Sequence, residues 1–499
     1  MNNIKGVFLA IDQSTSATKA LLFTTDGSLL DQETLTHHQI YPIAGRVEHD
    51  ADEIYRNLIL VVSTLLQRHQ DKLNHILSLS LTNQRETFVI FDRKTGKPLY
   101  NAIVWQCMRG VDYCNLLAES GCESIVHQLT GLKLDTYFPA SKLRWLLDAR
   151  PDISSSLMDG TALFGTIDTY LIYRLTGGKV YATDHTNASR TLLYDIDQFN
   201  WSQELRIIFG LQFAALPEVR SSTDWYGDTD VEGFLDRRIP IYGVMGDSQA
   251  ALFAQRCFTP GSAKVTFGTG SSILLNIGNE KRLSPSGTLT ALAWVLDGEP
   301  TYAFEGIINF TGATIAWLRD QMKIIANSAE SETISQSVSS CHGVYFIPAF
   351  VGLAAPYWRA DVRAAILGMT PSTTRAHIVR AALESIGFIV TDVMRAMSKD
   401  AGINLSTIHA DGGASSNAFL MQFVSDMNQI KLLVSQLREL SALGAVLSGG
   451  LGQKMFNSLA DIQSLHTGYV EYSPIIDPDD ADNRFAGWQK AVQQVLYQP

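Results

Sequence analysis

A chain of 499 residues is longer than one ordinary domain, and its 46% hydrophobic and 18% charged residues describe a globular chain able to bury large cores. Its formal net charge of −11 argues against nucleic acid or an anionic membrane as the main partner, although an acidic protein still binds a nucleotide through magnesium and backbone amides. No stretch has the apolar length needed to cross a bilayer, and Met1-Asn2-Asn3-Ile4-Lys5 lacks the apolar core of a signal peptide.

The first element read along the chain is a strand, Phe8-Leu9-Ala10-Ile11-Asp12, apolar up to its terminal carboxylate. A turn of small and hydroxyl residues follows (Gln13 to Thr18), then Lys19 and a second apolar strand, Ala20-Leu21-Leu22-Phe23. Such a turn carries few bulky side chains, so backbone N–H groups and hydroxyls can wrap a phosphate closely. Asp12 at the strand end suits a hydrated Mg2+ bridging phosphates; a strand-end Asp also caps its own turn. Thr15, Ser16 and Lys19 favour the phosphate reading, because donors and a cation beside the carboxylate are what a triphosphate needs.

Asp50-Ala51-Asp52-Glu53 reads as a capping box, with Ile54, Leu58, Ile59, Val61, Val62 and Leu65 as the apolar face of the helix behind it. Ile76 to Leu81 alternates like a strand and delivers Thr82-Asn83-Gln84-Arg85-Glu86 at its end. Forked donors of Arg85 beside the acceptors of Glu86 suit adjacent hydroxyls of a polyol, while on a surface the same residues make an ordinary solvated pair. Ile239 to Met245 is another strand, ending at Gly246-Asp247 before a helix. Asp247 there either caps the helix or accepts a hydroxyl proton while that hydroxyl attacks phosphorus.

The natural seam lies near Leu252 to Gly261, giving lobes 1–254 and 255–499 about a deep cleft. Beyond it the hairpin pattern recurs: Lys264-Val265-Thr266-Phe267, the turn Gly268-Thr269-Gly270-Ser271-Ser272, then Ile273-Leu274-Leu275. Two such hairpins suggest paired lobes gripping one nucleotide. A long amphipathic helix is expected from Ala376 to Met397, its face carried by Ile378, Leu383, Ile386, Ile389, Val393 and Met397. The strand Thr407 to Asp411 enters Gly412-Gly413-Ala414-Ser415-Ser416-Asn417, whose backbone suits contact with an adenosine or simply a glycine-requiring turn. Strands alternating with helices throughout indicate an α/β protein. There is no GxxxxGK[ST] loop, no GxGxxG after a strand and no HExxH, and the eleven histidines, His37-His38 included, show no ligand spacing. The five cysteines, odd in number and without CxxC or metal-ligand spacing, read as reduced thiols of a cytoplasmic protein.

Together these segments resemble the FGGY carbohydrate kinases, and within them the glycerol kinases. The likeness runs along nearly the whole chain: Arg46 to Asp50, Leu81 to Thr87, Tyr100 to Cys107, Leu163 to Thr169, Thr183 to Thr191 and Ala349 to Trp358 all take part. It implies an α/β fold of two duplicated actin-like, sugar-kinase-like (ribonuclease H-like) ATPase lobes flanking a deep cleft, and ATP-dependent phosphorylation of a polyol hydroxyl. By the same resemblance Asp247 is the general base and Asp12 helps to hold Mg2+. Thr15, Ser16, Ala17 and Lys19 fall where the family contacts nucleotide phosphates, and Thr269, Gly312, Gly413 and Asn417 match nucleotide-contacting positions of the second lobe. Arg85, Glu86, Tyr137 and Asp247 match the hydroxyl-binding set, with Trp105 as an apolar wall.

Four positions depart from the glycerol kinase pattern: Ser14 for a Gly, Ser248 for a Gln, Ser272 for a Phe packed on glycerol, and Ala316 for a Gln of the adenine site. Ser248 and Ser272 remove bulk from the substrate pocket, so a four- or five-carbon polyol or ketose stands beside glycerol as the implied acceptor. The glycine-rich loop that some glycerol kinases use for sugar-bisphosphate feedback is not reproduced near Glu232 to Arg238. Relatives are commonly dimers or tetramers, so a homodimer or homotetramer is expected. The same fold also serves non-catalytic nucleotide-binding scaffolds, which have no need of a base aimed at an acceptor.

Overall fold

The computed structural model describes residues 6–465 and 468–497, so the opening segment Met1–Lys5 lies outside the described residues. The first hairpin is β1 (Val7–Gln13) and β2 (Ala17–Thr24), antiparallel, with Asp12 opposite Lys19. β3 (Leu29–Thr36) continues the meander, and β4 (Ile76–Asn83) lies parallel to β1 on its other side. With β5 (Trp225–Thr229) and β6 (Ile239–Gly246) they form one sheet in the order β5-β6-β4-β1-β2-β3. The second hairpin, β7 (Ser262–Phe267) and β8 (Ser271–Gly278), founds an equivalent sheet. β9 (Leu289–Leu296), β10 (Glu299–Ile308), β11 (Thr407–Asp411), β12 (Leu432–Ser435) and β13 (Tyr469–Tyr472) complete it. Its order is β9-β10-β8-β7-β11-β12-β13. In both sheets an antiparallel meander joins a run of parallel strands, with the first hairpin strand at the junction and an antiparallel strand beyond the run. This is the duplicated α/β architecture expected from the repeated motif; parallel neighbours need long crossovers, which the intervening helices supply.

Strand alternation gives each sheet an outer and an inner face. Val7, Leu9 and Ile11 enter a core with α1 (Ala51–Arg68), while Phe8 and Ala10 turn the other way and meet Met245, Leu252, Leu274 and Trp294. In the second lobe Val265, Phe267, Ile273 and Leu275 share a core with α3 (Arg375–Ala401). The alternate residues Lys264, Thr266, Ser272 and Glu305 therefore lie on its inner face. Two helices, α2 (Asp247–Ala254) and α4 (Leu440–Gly452), contribute to the core between the sheets. α4, from the second half of the chain, packs on β1, β4 and β6 of the first sheet. It comes so close because Gly444 and Gly449 have no side chains: a Cβ would lie 1.8 Å from the Ala250 carbonyl oxygen at the first and 2.8 Å from that of Tyr242 at the second.

Local expectations hold with three differences. Asp50 caps α1 by accepting from the amides of Asp52 and Glu53, but the box does not close, because the Glu53 carboxylate instead accepts from the His38 amide and lies 2.7 Å from its Nδ1. On the same helix Ile59 is half-buried and Tyr55 takes a place in the core. α3 extends beyond the expected span to Ala401, starting from a closed box between Thr374 and His377, and it buries Val379 rather than Ile378. All five cysteines are free, and no described helix is long and apolar enough to cross a membrane.

Candidate active site

The inner ends of the strands open into a cavity of about 810 Å³. Asp12 and Lys19 reach it from the first hairpin, Asp247 and Ser248 from the start of α2, and Ser272 from the second hairpin. Gly268 also borders a neighbouring cavity of about 720 Å³, and that one is lined by Thr269, Gly312, Ala316, Gly413 and Asn417. Of the sequence-read nucleotide positions, Lys19 lines the first space and Thr269, Gly312, Ala316, Gly413 and Asn417 the second, while Thr15, Ser16 and Ala17 line neither. Arg85, Glu86, Trp105 and Tyr137 line neither; Arg85 lies behind Asp247, its Nε 3.4 Å from Asp247 Oδ1.

Asp12 is 7% exposed, and burial raises its carboxyl to about 7, with Lys19 opposing and the nearby Asp247 and Glu439 carboxylates adding to the rise. Lys19 Nζ lies 3.8 Å from Asp12 but 2.5 Å from Glu439, so its charge is spent mainly on the latter. Asp12 lines the cavity with a counter-charge that it shares with Glu439 and that lies closer to Glu439. That fits a Mg2+ ion held by one protein carboxylate with water and phosphate oxygens. Among the described residues there is no cluster of three or more His, Cys, Asp or Glu that could hold a metal by protein groups alone. The turn between β1 and β2 is closed by Ser14, whose amide and hydroxyl both donate to the Ala17 carbonyl at 2.9 and 3.0 Å. Ser16 is exposed at its tip, and the Thr15 carbonyl is held by Gln39 Nε2 at 3.0 Å.

Asp247 is the first helical residue of α2, and the N-cap is Gly246, whose amide donates to Thr186 Oγ1 at 2.8 Å. The Ser248 amide donates to Asp247 Oδ1 at 2.6 Å, and the side chain is 37% exposed. A Cβ at Gly246 would lie 2.8 Å from the Arg85 Cγ, so the Arg85 side chain would have to move.

Arg85 and Glu86 are no surface pair; they are 6% and 2% exposed. Glu86 sits at φ +63°, a left-handed conformation that costs a non-glycine residue energy and clusters at functional sites. Arg85 donates to Glu305 at 2.7 Å and to Gln249 at 3.2 Å, and Arg190 donates to Glu86 at 2.6 Å. Burial alone would push the Glu305 carboxyl up, but the guanidiniums of Arg190 and Arg85 outweigh it and hold it at about 2. The rings of Trp105 and Tyr137 lie 5.2 Å apart, and the Trp105 Nε1 donates to Thr15 Oγ1 at 3.1 Å. Under them the fully buried Lys142 donates to the carbonyls of Val104, Trp105 and Tyr137 at 3.1–3.3 Å.

In the second cavity Gly312 packs against the Gly268 carbonyl, to which its amide donates at 3.0 Å. Asn417 caps the following helix by accepting from the Leu420 amide and donates to Ser331 Oγ. In the first, Ser272 Oγ is buried without a hydrogen-bond partner among the described residues.

Sequence reading missed Lys142, Arg190, Lys264, Glu305, Asp411 and Glu439. One signal was present: Lys264 and Glu305 stand between apolar neighbours inside strands, where an unpaired charge is rarely buried.

Comparison with known proteins follows the same lines. The family pattern described as the FGGY family of carbohydrate kinases, N-terminal domain, matches residues 7–254, and that of the C-terminal domain matches residues 263–452. Glycerol kinase 1 of Thermotoga maritima is 43% identical over 98% of this chain and 99% of its own length. The glycerol kinase of Symbiobacterium thermophilum is 44% identical over 98% of each chain. The crystal structure of Plasmodium falciparum glycerol kinase with ADP superposes with a TM-score of 0.95 at 37% identity, covering 99% of both chains. The ligand-bound xylulose kinase of Lactobacillus acidophilus, at 20% identity and a TM-score of 0.89, shares the fold. With family patterns spanning both lobes and full-length relatives above 40% identity, the chain belongs to the FGGY family of carbohydrate kinases.

Proposed function

We propose that this protein is an ATP-dependent kinase that phosphorylates a terminal hydroxyl of a small polyol, glycerol first. The observation that carries the reading is Asp247: a half-open carboxylate, fixed by the Ser248 amide, facing the cavity that also holds Asp12 and backed by the buried Arg85. Its supports are the glycerol kinases at 43–44% identity over nearly the full chain.

In this reading lobe 1–254 binds the acceptor and the phosphates, and lobe 255–499 binds the adenosine. Acceptor hydroxyls bind Arg85, Glu86, Tyr137 and Asp247, with the carbon chain against Trp105. Thr15, Ser16, Ala17 and Lys19 receive the phosphates, and Thr269, Gly312, Ala316, Gly413 and Asn417 receive the nucleoside. Mg2+, when bound, would be held at Asp12 and would neutralise charge on the phosphate oxygens. Asp247 takes the proton of the acceptor hydroxyl as its oxygen bonds to the γ-phosphorus and the bond to the β-phosphate oxygen breaks, leaving ADP. Enclosure between the lobes keeps water from competing as acceptor. The cytoplasm and a homodimer or homotetramer are the expected setting.

One observation favours a second acceptor class. Ser272 Oγ is buried without a partner beside a roomy cavity, and Ser248 lines the same space, so a four- or five-carbon polyol or ketose would find both volume and hydroxyls there. ADP release measured with glycerol, erythritol, threitol, xylitol and ketopentoses decides. Glycerol with the highest kcat/KM supports the first reading, and glycerol as the poorest acceptor replaces it with the second.

A further inference from the structure

Arg85, Glu86, Arg190 and Glu305 form a closed ring of charge. Arg85 Nη2 donates to Glu305 Oε1 at 2.7 Å and Arg190 Nε to Glu86 Oε1 at 2.6 Å. Arg190 Nη1 lies 2.6 Å from Glu305 Oε2, and Arg85 Nε lies 3.9 Å from Glu86 Oε1. Three of the residues belong to the first lobe: Arg85 and Glu86 follow β4, and Arg190 follows the short helix His185–Ala188. Glu305 comes from β10, in the second sheet. Both Arg190 and Glu305 have fully buried side chains.

The ring is neutral, yet it is not built as a stability device. The close approach of Arg190 Nη1 to Glu305 is charge pairing without hydrogen-bond alignment, and Arg190 Nη1 and Nη2 and Glu305 Oε2 have no hydrogen-bond partner among the described residues. Buried ion pairs commonly do no better for stability than well-packed apolar residues of similar volume. What the ring does fix is orientation. Arg85 has three carboxylates within reach: Glu305 at 2.7 Å, Asp247 at 3.4 Å and Glu86 at 3.9 Å. Glu305 holds the end of the guanidinium, so the fork is not free to turn fully onto Asp247. Arg190 holds the Glu86 carboxylate, whose backbone is already in the left-handed region at φ +63°.

We propose that Glu305 and Arg190 are a positioning pair for the acceptor site: Glu305, reaching across from the second lobe, sets the orientation of Arg85, and Arg190 sets that of Glu86. The proposal rests on the acceptor-binding reading of Arg85 and Glu86 given above. Acceptor affinity is then a property of both lobes, although the groups that touch the acceptor lie in the first.

The test uses the full chain, with steady-state kinetics varying acceptor and MgATP separately. Glu305→Gln keeps an acceptor oxygen but removes the charge, and should raise the acceptor KM about tenfold or more while leaving the MgATP KM within about twofold. Glu305→Asp, which restores the charge on a shorter stem, should recover part of the loss. Arg190→Met should act on the same KM, and the double variant should be little worse than the worse single one, because the pair acts as a unit. A ring serving structure alone predicts otherwise: a lowered thermal midpoint with both KM values unchanged in the folded fraction, which would overturn the proposal. Should Glu305→Gln not accumulate folded, the acceptor-to-MgATP KM contrast is read on Glu305→Asp by the same criterion. Wild-type transfer to glycerol with no acceptor KM change in the variants overturns the pair alone; no transfer by the wild type to any polyol overturns the acceptor reading and the pair with it.

Discussion

At the scale of single residues, Asp247 and Asp12 show how the same side chain does different work in different surroundings. Asp247 is 37% exposed, with one oxygen held by an amide and the carboxylate open to the cavity. Asp12 is 7% exposed, and burial raises it to about 7, which makes it a group that gains from a cation. Asp247→Asn keeps size and hydrogen bonding but removes the proposed base. It should lower kcat by about 10²- to 10⁴-fold while leaving MgATP affinity within about twofold by calorimetry. If transfer persists at the wild-type rate, the proton has another acceptor. Asp12 was legible in the sequence as a carboxylate ending an apolar strand beside a small-residue turn; Asp247, between a strand end and a helix, read locally as a cap or a base, and only the resemblance favoured the base. Glu305 and Arg190 were not legible, because they meet Arg85 and Glu86 only after the chain has folded back over more than a hundred residues.

At the scale of elements, the hairpins and the helices between the sheets decide where those residues stand. α2 carries Asp247 at its first position, and α4 packs across it with Gly444 against the Ala250 carbonyl. A side chain at Gly444 has nowhere to go but into backbone, so α2 must shift. Gly444→Val should cost about 1–3 kcal/mol, read as a lower urea midpoint, and should lower kcat in the folded protein because Asp247, the proposed base, moves with its helix. That the glycines of α4 serve close approach emerges only when its neighbours are known. The capping box at Asp50 makes the same point: Asp50 caps as its type predicts, while Glu53 is drawn off by His38, which lies just beyond the end of β3 and outside the local pattern.

At the scale of the whole molecule, the duplicated sheets were readable from the recurring strand–turn–strand pattern, because periodicity in apolar residues survives at any distance along the chain, whereas the core they share through α2 and α4 was not. The balance of buried charge was not readable, and it sets how stability responds to pH. Asp168 is fully buried, and burial with the neighbouring Asp184 raises it to about 7 from 3.8. Its contribution is therefore complete below the unfolded value and is lost as pH rises towards about 7. His49 moves the opposite way: burial and the adjacent His37 lower it to about 3 from 6.5, so its contribution is complete above the unfolded value and is lost as pH falls. Relative to wild type, Asp168→Asn should gain roughly 1 kcal/mol per pH unit as pH rises from about 5 to 7, then level off. His49→Gln should gain similarly as pH falls below about 6.5. Urea unfolding at four pH values separates the two slopes, and parallel lines for mutant and wild type would refute the assignment. Finally, the hydrogen bond from Trp105 to Thr15 ties the proposed wall of the alcohol pocket to the turn proposed to receive the phosphates. A single indole spans the two, so its fluorescence is a built-in optical gauge: emission lost in Trp105→Phe should respond when MgATP arrives, before any alcohol is added.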